Sequence, residues 1–424
     1  MRLCVFEDAT YENFYPLTYL RATFELRCGA TTLAEKIQRA CPDTPTAYFA
    51  RDAVAPVLRE RLDGPVNDPA AMTGDDLLLV NGRWLLLDPA LLAPDGPEEL
   101  LVSGGALLAA RIKRATAERV SAATPADLLA ALKQTLYIRQ VDATVIAFPW
   151  ELIHHNTEAI VADFNAAGRA GIVGTFSDHA TVWGAKDQVY VAPTAEVQPF
   201  VCIDTTGGPV TIDAGAVVNP HTRIEGPAYI GRDSVLVGGK IREGCSIGPV
   251  CRVGGEVEES ILHGFSNKYH DGFLGHAYVG QWVNLGALTT NSDLKNDYTS
   301  VSVTLDGRRP IDTGSTKVGS LIGDHAKTSI GTLLNTGSYV GAMALIAATG
   351  KPLPKFIPSF AWFIEGGVTK GFGRRSLYAT ADAATRRRGH TWTEAEQAMW
   401  DTIFEMTSPA RNEAIKKGRR AMMK

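Results

Sequence analysis

Val191-Ala192-Pro193-Thr194-Ala195-Glu196-Val197-Gln198-Pro199-Phe200-Val201-Cys202-Ile203 opens the stretch that decides the fold. Its aliphatics fall at Val191, Val197 and Ile203. After a Thr-Thr-Gly-Gly-Pro insertion the beat resumes at Ile212, Val218, Ile224, Ile230 and Leu236, then at Ile241, Ile247 and Val253. Four residues after most of them comes a compact side chain (Ala195, Val201, Ala216, Thr222, Ala228, Ser234, Cys245, Cys251), and two residues after some comes a proline (193, 199, 220, 249). One inward aliphatic and one compact residue per hexad, with proline where a fixed φ and a missing donor suit a corner, predict a parallel β-helix built from hexapeptides, three to a triangular turn. A second run at Ile322, Thr328, Leu334, Val340 and Ile346 extends the prism. Stacked coils present flat lateral faces, so a threefold assembly with copies of itself is expected.

Working outward, residues 1–185 read as a mixed α/β domain. Short β-like runs at 3–6, 47–50, 77–80 and 143–148 alternate with helical patterns at 32–39, 125–134 and 151–166, which favours a largely parallel layered sheet. The β-helix occupies 186–350. Residues 351–424 open with a proline-rich extended segment and continue into helices; Thr393 followed by Glu396 caps one that carries Ala398, Trp400, Ile403 and Phe404 on its apolar face.

The chain has 424 residues, enough for two or three domains of about 150 residues, and 45% of them are hydrophobic. Its 42 basic and 46 acidic residues leave a net charge of −4, which excludes a general affinity for nucleic acid. No apolar run approaches the roughly 20 residues of a membrane span, and Met1 to Asp8 lacks a leader-like apolar core, so a cytoplasmic protein is expected. Six cysteines without C-x-x-C spacing argue against a disulfide scaffold or a thiolate zinc site, and Cys245 and Cys251 fall in equivalent core slots.

The meter breaks between the two hexad runs, and loops leaving a rigid coil are where function concentrates. The first break runs from Ser266 to His276; a second, at 289–298, leads into an alternating stretch at 301–305 closed by Asp306-Gly307, which suggests a hairpin projecting from the coil. His270, beside Lys268, Asn267 and Asp271, suits a general base, since imidazole titrates where an attacking amine must lose a proton; a structural loop histidine is the other reading. His263, His270 and His276 could instead ligate zinc, although six-residue steps place equivalent positions on successive faces of one coil.

These segments also carry a resemblance. H-D-G-F-L-G-H-A-Y-V-G-Q-W-V-N-L-G-A, 270–287, resembles the acetyltransferase site of the bacterial bifunctional UDP-N-acetylglucosamine diphosphorylase/glucosamine-1-phosphate N-acetyltransferase family. A variant branch labelled sugar nucleotidyltransferase is more similar still: its S-N-K-x-H-D-G-F-L-G-H, N-L-G-A, N-S-D-L-K-N-x-Y, G-D-H-x-K and P-K-F-I-P-S-F match 266–276, 284–287, 291–298, 323–327 and 354–360. Tyr15-Pro16-Leu17-Thr18-Tyr19-Leu20-Arg21, Glu25-Leu26-Arg27-Cys28-Gly29 and Glu35-Lys36 match its opening signature.

The resemblance implies a nucleotidyltransferase-like α/β domain, a left-handed parallel β-helix with acyltransferase chemistry, a C-terminal helical tail and a homotrimer. The implied reactions are acetyl transfer from acetyl-CoA to glucosamine-1-phosphate, with His270 as base, and nucleotidyl transfer from UTP to the N-acetyl sugar-1-phosphate with Mg2+. Lys268 would face the acceptor phosphate, and Asn284, Asn291, Asp293 and Asn296 would orient the acceptor. Gly286 and Ala287 would supply the oxyanion donor along acetyl-CoA, with Ala348 near its adenine. Phe273 stands where the better-known enzymes have tyrosine.

In the N-terminal half, Phe6-Glu7-Asp8-Ala9-Thr10-Tyr11-Glu12-Asn13 replaces the family's glycine-rich phosphate loop. Arg21, Glu25, Arg27 and Lys36 would therefore serve the nucleotide phosphates, with Asn81 and Glu151 at the metal positions. Two alternatives stay open: a nucleotidyltransferase whose β-helix only assembles or regulates it, and a non-catalytic scaffold that binds sugar nucleotides.

Overall fold

A computed structural model describes residues 1–347, 350–364 and 366–422. The hexads form the expected parallel β-helix. Its first face is a ten-stranded sheet from Gly171–Ile172 to Phe356–Ile357; the second and third open with six-stranded sheets, Thr175–Phe176 to Asn267–Lys268 and Thr181–Trp183 to Phe273–Gly275, and the second continues through Asn284 to Lys327–Thr328, Leu345–Ala347 and Trp362–Ile364. On the first face Val191 lies in register with Ile212, Ile212 with Ile230 and Ile230 with Ile247, so the aliphatics of the meter stack into one inner file. Every aliphatic from Val191 to Val253 on the beat is fully buried, as are Cys245 and Cys251, whose thiols burial pushes up to about 12 and about 11.

The corners hold a feature the prolines only hinted at. Between the first and second faces, Asp233, Val250, Phe265, Trp282, His325, Met343 and Phe360 occupy the left-handed region, with φ between 55° and 60°. Such a conformation costs a side-chain-bearing residue about 1–2 kcal/mol, and stacking along the edge offsets part of it: the Phe265 and Trp282 rings lie 4.5 Å apart.

The coil begins earlier than residue 186, at Gly171, because 171–183 already pair with the rung above, and it runs on past 350 through Phe356–Ile357 and Trp362–Ile364. The predicted hairpin exists as Ser302–Thr304 against Pro310–Asp312, but Val301 and Val303 are buried with Phe14 and Leu17 instead of projecting.

The N-terminal sheet has six strands, in the order Thr46–Phe49, Arg2–Phe6, Leu77–Asn81, Ala106–Ile112, Glu99–Ser103 and Tyr137–Gln140. The first three are parallel, whereas the strands Glu99–Ser103 and Ala106–Ile112 form an antiparallel hairpin that the sequence pattern did not signal. The run at 143–148 makes a single bridge, Val145 to Trp84.

This domain covers the first face of the coil: Ile261, Tyr278 and Leu321 share a core with Phe14, Leu17, Leu26 and Trp150. The C-terminal helices Arg374–Arg386, Glu394–Met406 and Ser408–Met422 complete the molecule, and Thr393 and Glu396 form the expected capping box. Met399, Trp400 and Ile403 pack on Tyr19, Leu20, Met343 and Phe360, while Ala398 points outward. The corner between the second and third faces is left open, and it carries His270.

Candidate functional site

Most corners between second and third faces take four residues, 198–201 and 219–222 among them, but one rung below His270 Gly254 and Gly255 alone join Arg252–Val253 to Glu256–Glu258. One rung higher the chain again spends four residues, Tyr269 to Gly272, between Asn267–Lys268 and Phe273–Gly275, so this corner is longer than the one directly beneath it. Lys268 anchors it from within. Register with Val253 places Lys268 in the inward file, 1% exposed, where its ammonium donates to the carbonyls of Gly254 at 3.0 Å and His270 at 2.6 Å. Burial pushes its pKa down to about 8, with Asp271 opposing. The expected contact of Lys268 with an acceptor phosphate is therefore replaced by an internal role, because its slot in the meter turns the side chain into the lumen.

His270 itself is exposed, its ring edge-on to Tyr269 at 5.2 Å. Asn284 is exposed on the next rung and accepts a 3.3 Å hydrogen bond from Asn267. The N–H of Gly286 is committed to Thr328 Oγ1 at 3.0 Å, whereas that of Ala287 has no partner among the described residues. Beside this corner lies a cavity of roughly 310 Å³ lined by Lys240, Glu256, Asp271 and Phe273.

Other expected acceptor residues lie elsewhere. Asn291 is buried in the lumen, its amide exchanging 2.8 Å hydrogen bonds with the N–H and C=O of Gly275. Asp293 belongs to the next corner, 2.8 Å from His276. Asn296 is exposed on the loop that leaves the coil, and Ala348 lies outside the described residues.

The three histidines considered for zinc do not converge. His263 is buried under the N-terminal domain with Nδ1 3.1 Å from the Tyr278 hydroxyl, His270 is open, and His276 sits between Glu259 at 2.9 Å and Asp293 at 2.8 Å. Among the described residues only Glu243, Glu258 and Glu259 group their carboxylates within 4.8 Å, and Arg242 and Lys317 stand 2.7 and 3.5 Å from Glu258.

In the N-terminal domain the expected phosphate ligands are internal fasteners. Arg21, 1% exposed, reaches across to Asp324 of the coil at 2.9 Å and to Gln281 at 3.1 Å. Lys36 is fully buried against Asp163 at 2.6 Å, and Arg27 is buried with its guanidinium 5.8 Å from the Tyr229 ring. The Glu25 carboxylate accepts the Ala22 N–H at 2.8 Å, and burial raises its pKa.

Nor do Asn81 and Glu151 fit a divalent ion. The Asn81 amide donates to Asp8 at 2.9 Å and accepts from the Arg83 N–H at 3.0 Å, and Glu151 accepts the Ala147 N–H at 2.6 Å. Arg83 stands 2.9 Å from Asp8; although burial acts to raise the pKa of Asp8, that guanidinium holds it down to about 2. A metal arriving there would meet a cation already in place.

A different set lines a cavity of roughly 340 Å³: Glu7, Asp8, Arg51, Asp52 and Asn67. It lies past the carboxyl ends of Arg2–Phe6 and Thr46–Phe49, at the point where the chain has left the strand Arg2–Phe6 toward both neighbours, the usual ligand crevice of open α/β sheets. Strand-end position was the signal in the sequence for these residues.

Residues 3–170 match the model of the sugar nucleotidyl transferase family, ending where the first rung of the coil begins. The chain is similar to the bifunctional sugar-1-phosphate nucleotidylyltransferase/acetyltransferase of Sulfurisphaera tokodaii, 35% identical over 22% of each chain. It is also similar to the bifunctional protein GlmU of Albidiferax ferrireducens, 38% identical over 20% of each, and of Nitratidesulfovibrio vulgaris DP4, 28% identical over 38% of each. The matches thus span between a fifth and two fifths of those relatives' length. Among solved structures, a Francisella novicida UDP-N-acetylglucosamine acyltransferase aligns with 56% of this chain and 86% of its own at 15% identity and a TM-score of 0.31.

Proposed function

We propose that this relative of the GlmU-type transferases acetylates an amino-sugar phosphate, glucosamine-1-phosphate being the preferred candidate, with acetyl-CoA as donor, and that its N-terminal domain transfers a uridylyl group from UTP to the N-acetylated sugar-1-phosphate. The chain is a transferase of the sugar nucleotidyl and acyl transfer class. No helix among the described residues is long and apolar enough to cross a membrane, and the proposed substrates are those of the cytoplasm.

The observation that carries the reading is the corner at 269–272, which presents one imidazole to solvent while an internal ammonium clamps its backbone. In the proposed reaction the sugar amine attacks the thioester carbonyl, His270 takes the proton the amine loses, and the tetrahedral oxyanion is met by the free N–H of Ala287. Collapse breaks the C–S bond; the thiolate leaves and takes up that proton, giving the N-acetyl sugar phosphate and CoA. Asn284 orients the acceptor from the adjoining rung. In a homotrimer a second copy would complete the open corner into a crevice.

For the uridylyl half, the support is the family match over 3–170 and the crevice at Glu7, Asp8, Arg51 and Asn67. Mg2+ is not assigned to Asn81 and Glu151, which do not fit it, and no step is drawn through it. The purified protein should release CoA thiol from acetyl-CoA with glucosamine-1-phosphate, and pyrophosphate from UTP with N-acetylglucosamine-1-phosphate and magnesium. Absence of thiol release overturns the first assignment, and absence of pyrophosphate release the second.

A further inference from the structure

Beside His270 stands a group of cations that the acyl-transfer chemistry above leaves unused. Arg252 lies one rung below Asn267 in the outward file of the second face, and its Nη1 donates to the backbone carbonyls of Asp233 and Cys251, both at 2.9 Å. Arg388 comes from a different part of the chain. It sits in the turn that ends the helix Arg374–Arg386 and reaches down to donate from Nη2 to Asn267 Oδ1 at 3.3 Å.

Arg388 thus touches the asparagine that is Arg252's register neighbour, which brings the two guanidinium groups onto one stretch of the second face. Among the described residues neither has a carboxylate partner within ion-pair distance; the nearby Asp233 carboxylate is taken by Arg232 at 2.9 Å. Their mutual repulsion is registered in Arg252, whose pKa is lowered by burial and then by Arg388. Higher on the same file, beyond Asn267 and Asn284, comes Lys327, whose ammonium finds, among the described residues, the carbonyls of His325 and Trp282 at 3.3 and 3.4 Å and no acid.

Like charges brought together and half-buried, with only the Asp233 carboxylate, itself paired to Arg232, opposing them, gain stability when an anion joins them. Guanidinium groups suit a phosphate, whose oxygens can accept from both at once. The neighbours point to the same place: Tyr269, exposed and within the field of Arg252, stands edge-on to His270 at 5.2 Å.

We propose that Arg252 of the coil and Arg388 of the C-terminal helices form a phosphate-binding subsite beside His270, so that the helical tail contributes directly to substrate recognition. The subsite depends on the acyl-transfer reading only for which molecule carries the phosphate: the sugar phosphate, or the phosphates of CoA.

Calorimetric titration of the full-length protein with inorganic pyrophosphate at low salt tests the subsite without any turnover. Binding should weaken at least about tenfold in R252Q/R388Q, survive in part in R388K, and be unchanged in H270A. Melting curves of the same variants check that the tail remains docked. Parallel titrations identify the bearer. A matching loss for CoA in R252Q/R388Q, mirrored by weak binding of 3′-dephospho-CoA to the unmodified protein, assigns the CoA 3′-phosphate; a loss confined to glucosamine-1-phosphate assigns the sugar. Full acetyl transfer by H270A would sink the catalytic reading while the subsite stands on its pyrophosphate affinity. No pyrophosphate binding by the unmodified protein, or binding by R252Q/R388Q within about twofold of it, overturns the subsite.

Discussion

His270 and His276 occupy consecutive corners of one turn of the coil, and the protein surrounds them in opposite ways. The first is exposed, held only through its backbone by Lys268, and its ring is left to solvent and to Tyr269. The second is 3% exposed and gripped on both ring nitrogens by Glu259 and Asp293. Burial would lower the pKa of His276, but the hydrogen bonds and charges of the two carboxylates outweigh it and push it up to about 9. Around neutral pH His276 is a fixed cation in an ion triad beside the N-terminal domain. A group that must accept a proton and release it needs the other environment, with access and without committed partners. One motif, H-D-G-F-L-G-H, therefore holds a candidate base at its start and a clasp at its end.

The most severe test of this contrast is H270A. Loss of a positioned base should reduce kcat for acetyl transfer by about a thousandfold, with the melting temperature unchanged. Steady-state kinetics on a variant shown by calorimetry to unfold like the parent would decide it; a kcat within a few-fold of the parent removes His270 from the chemistry.

H276Q should do the reverse. Two partly buried carboxylates would lose their shared cation, and stability should fall by about 3 kcal/mol, while any transfer activity at permissive temperature changes little. The pH dependence follows the same logic. His276 has a folded pKa of about 9 against an ordinary 6.5, so its contribution is fully present below about 6.5 and is lost as pH rises through 9. Asp293 and Glu259 are both lowered by His276, so their share is lost instead as pH falls into the carboxylate range. Urea melts between pH 6 and 10 should show the alkaline decline in the parent and a flatter profile in H276Q. Equal slopes would mean the triad does not hold the corner.

K268M probes the link between coil core and base. Removing the ammonium strands the carbonyls of Gly254 and His270 but also relieves a buried charge, so the net stability change should be about 1 kcal/mol. The kinetic cost should be larger, about tenfold in kcat with KM values nearly constant, because the corner that presents the imidazole loosens. Hydrogen exchange confined to 269–272 should speed up. An unaltered kcat with an intact fold would show that the corner needs no internal anchor.

Much of this could be read from the chain alone, for a simple reason: a hexad repeat must put the same kind of residue in the same slot on every turn, so Val191 to Val253 announced the prism and its lumen. What escaped was either polar or distant. Lys268 and Asn291 occupy inward slots in register with Val253 and Leu334, yet the meter is broken around them and their polarity suggested a surface site. Arg21 and Lys36 read as phosphate ligands because the glycine-rich loop is missing, and their actual partners stand 303 and 127 residues away along the chain. No local pattern distinguishes a guanidinium aimed at a ligand from one aimed at Asp324. The left-handed corners at Val250, Phe265 and Trp282 were equally hidden, since glycine would normally mark them.

The smallest effect sharpens the contrast from the acceptor's side. Phe273, which stands where the resemblance places a tyrosine, lines the roughly 310 Å³ cavity beside the 269–272 corner with Lys240, Glu256 and Asp271 as its polar companions. Its ring is partly exposed, so a hydroxyl added in F273Y would reach solvent or substrate without being buried unpaired. If the acceptor's polar groups enter this cavity next to His270, F273Y should lower KM for glucosamine-1-phosphate by about threefold and leave KM for acetyl-CoA alone, the yield of one modest hydrogen bond. If the acceptor binds elsewhere on the open corner, both constants should stay where they are, and the cavity with Lys240 would have to be withdrawn from the substrate path even while His270 kept its place as base.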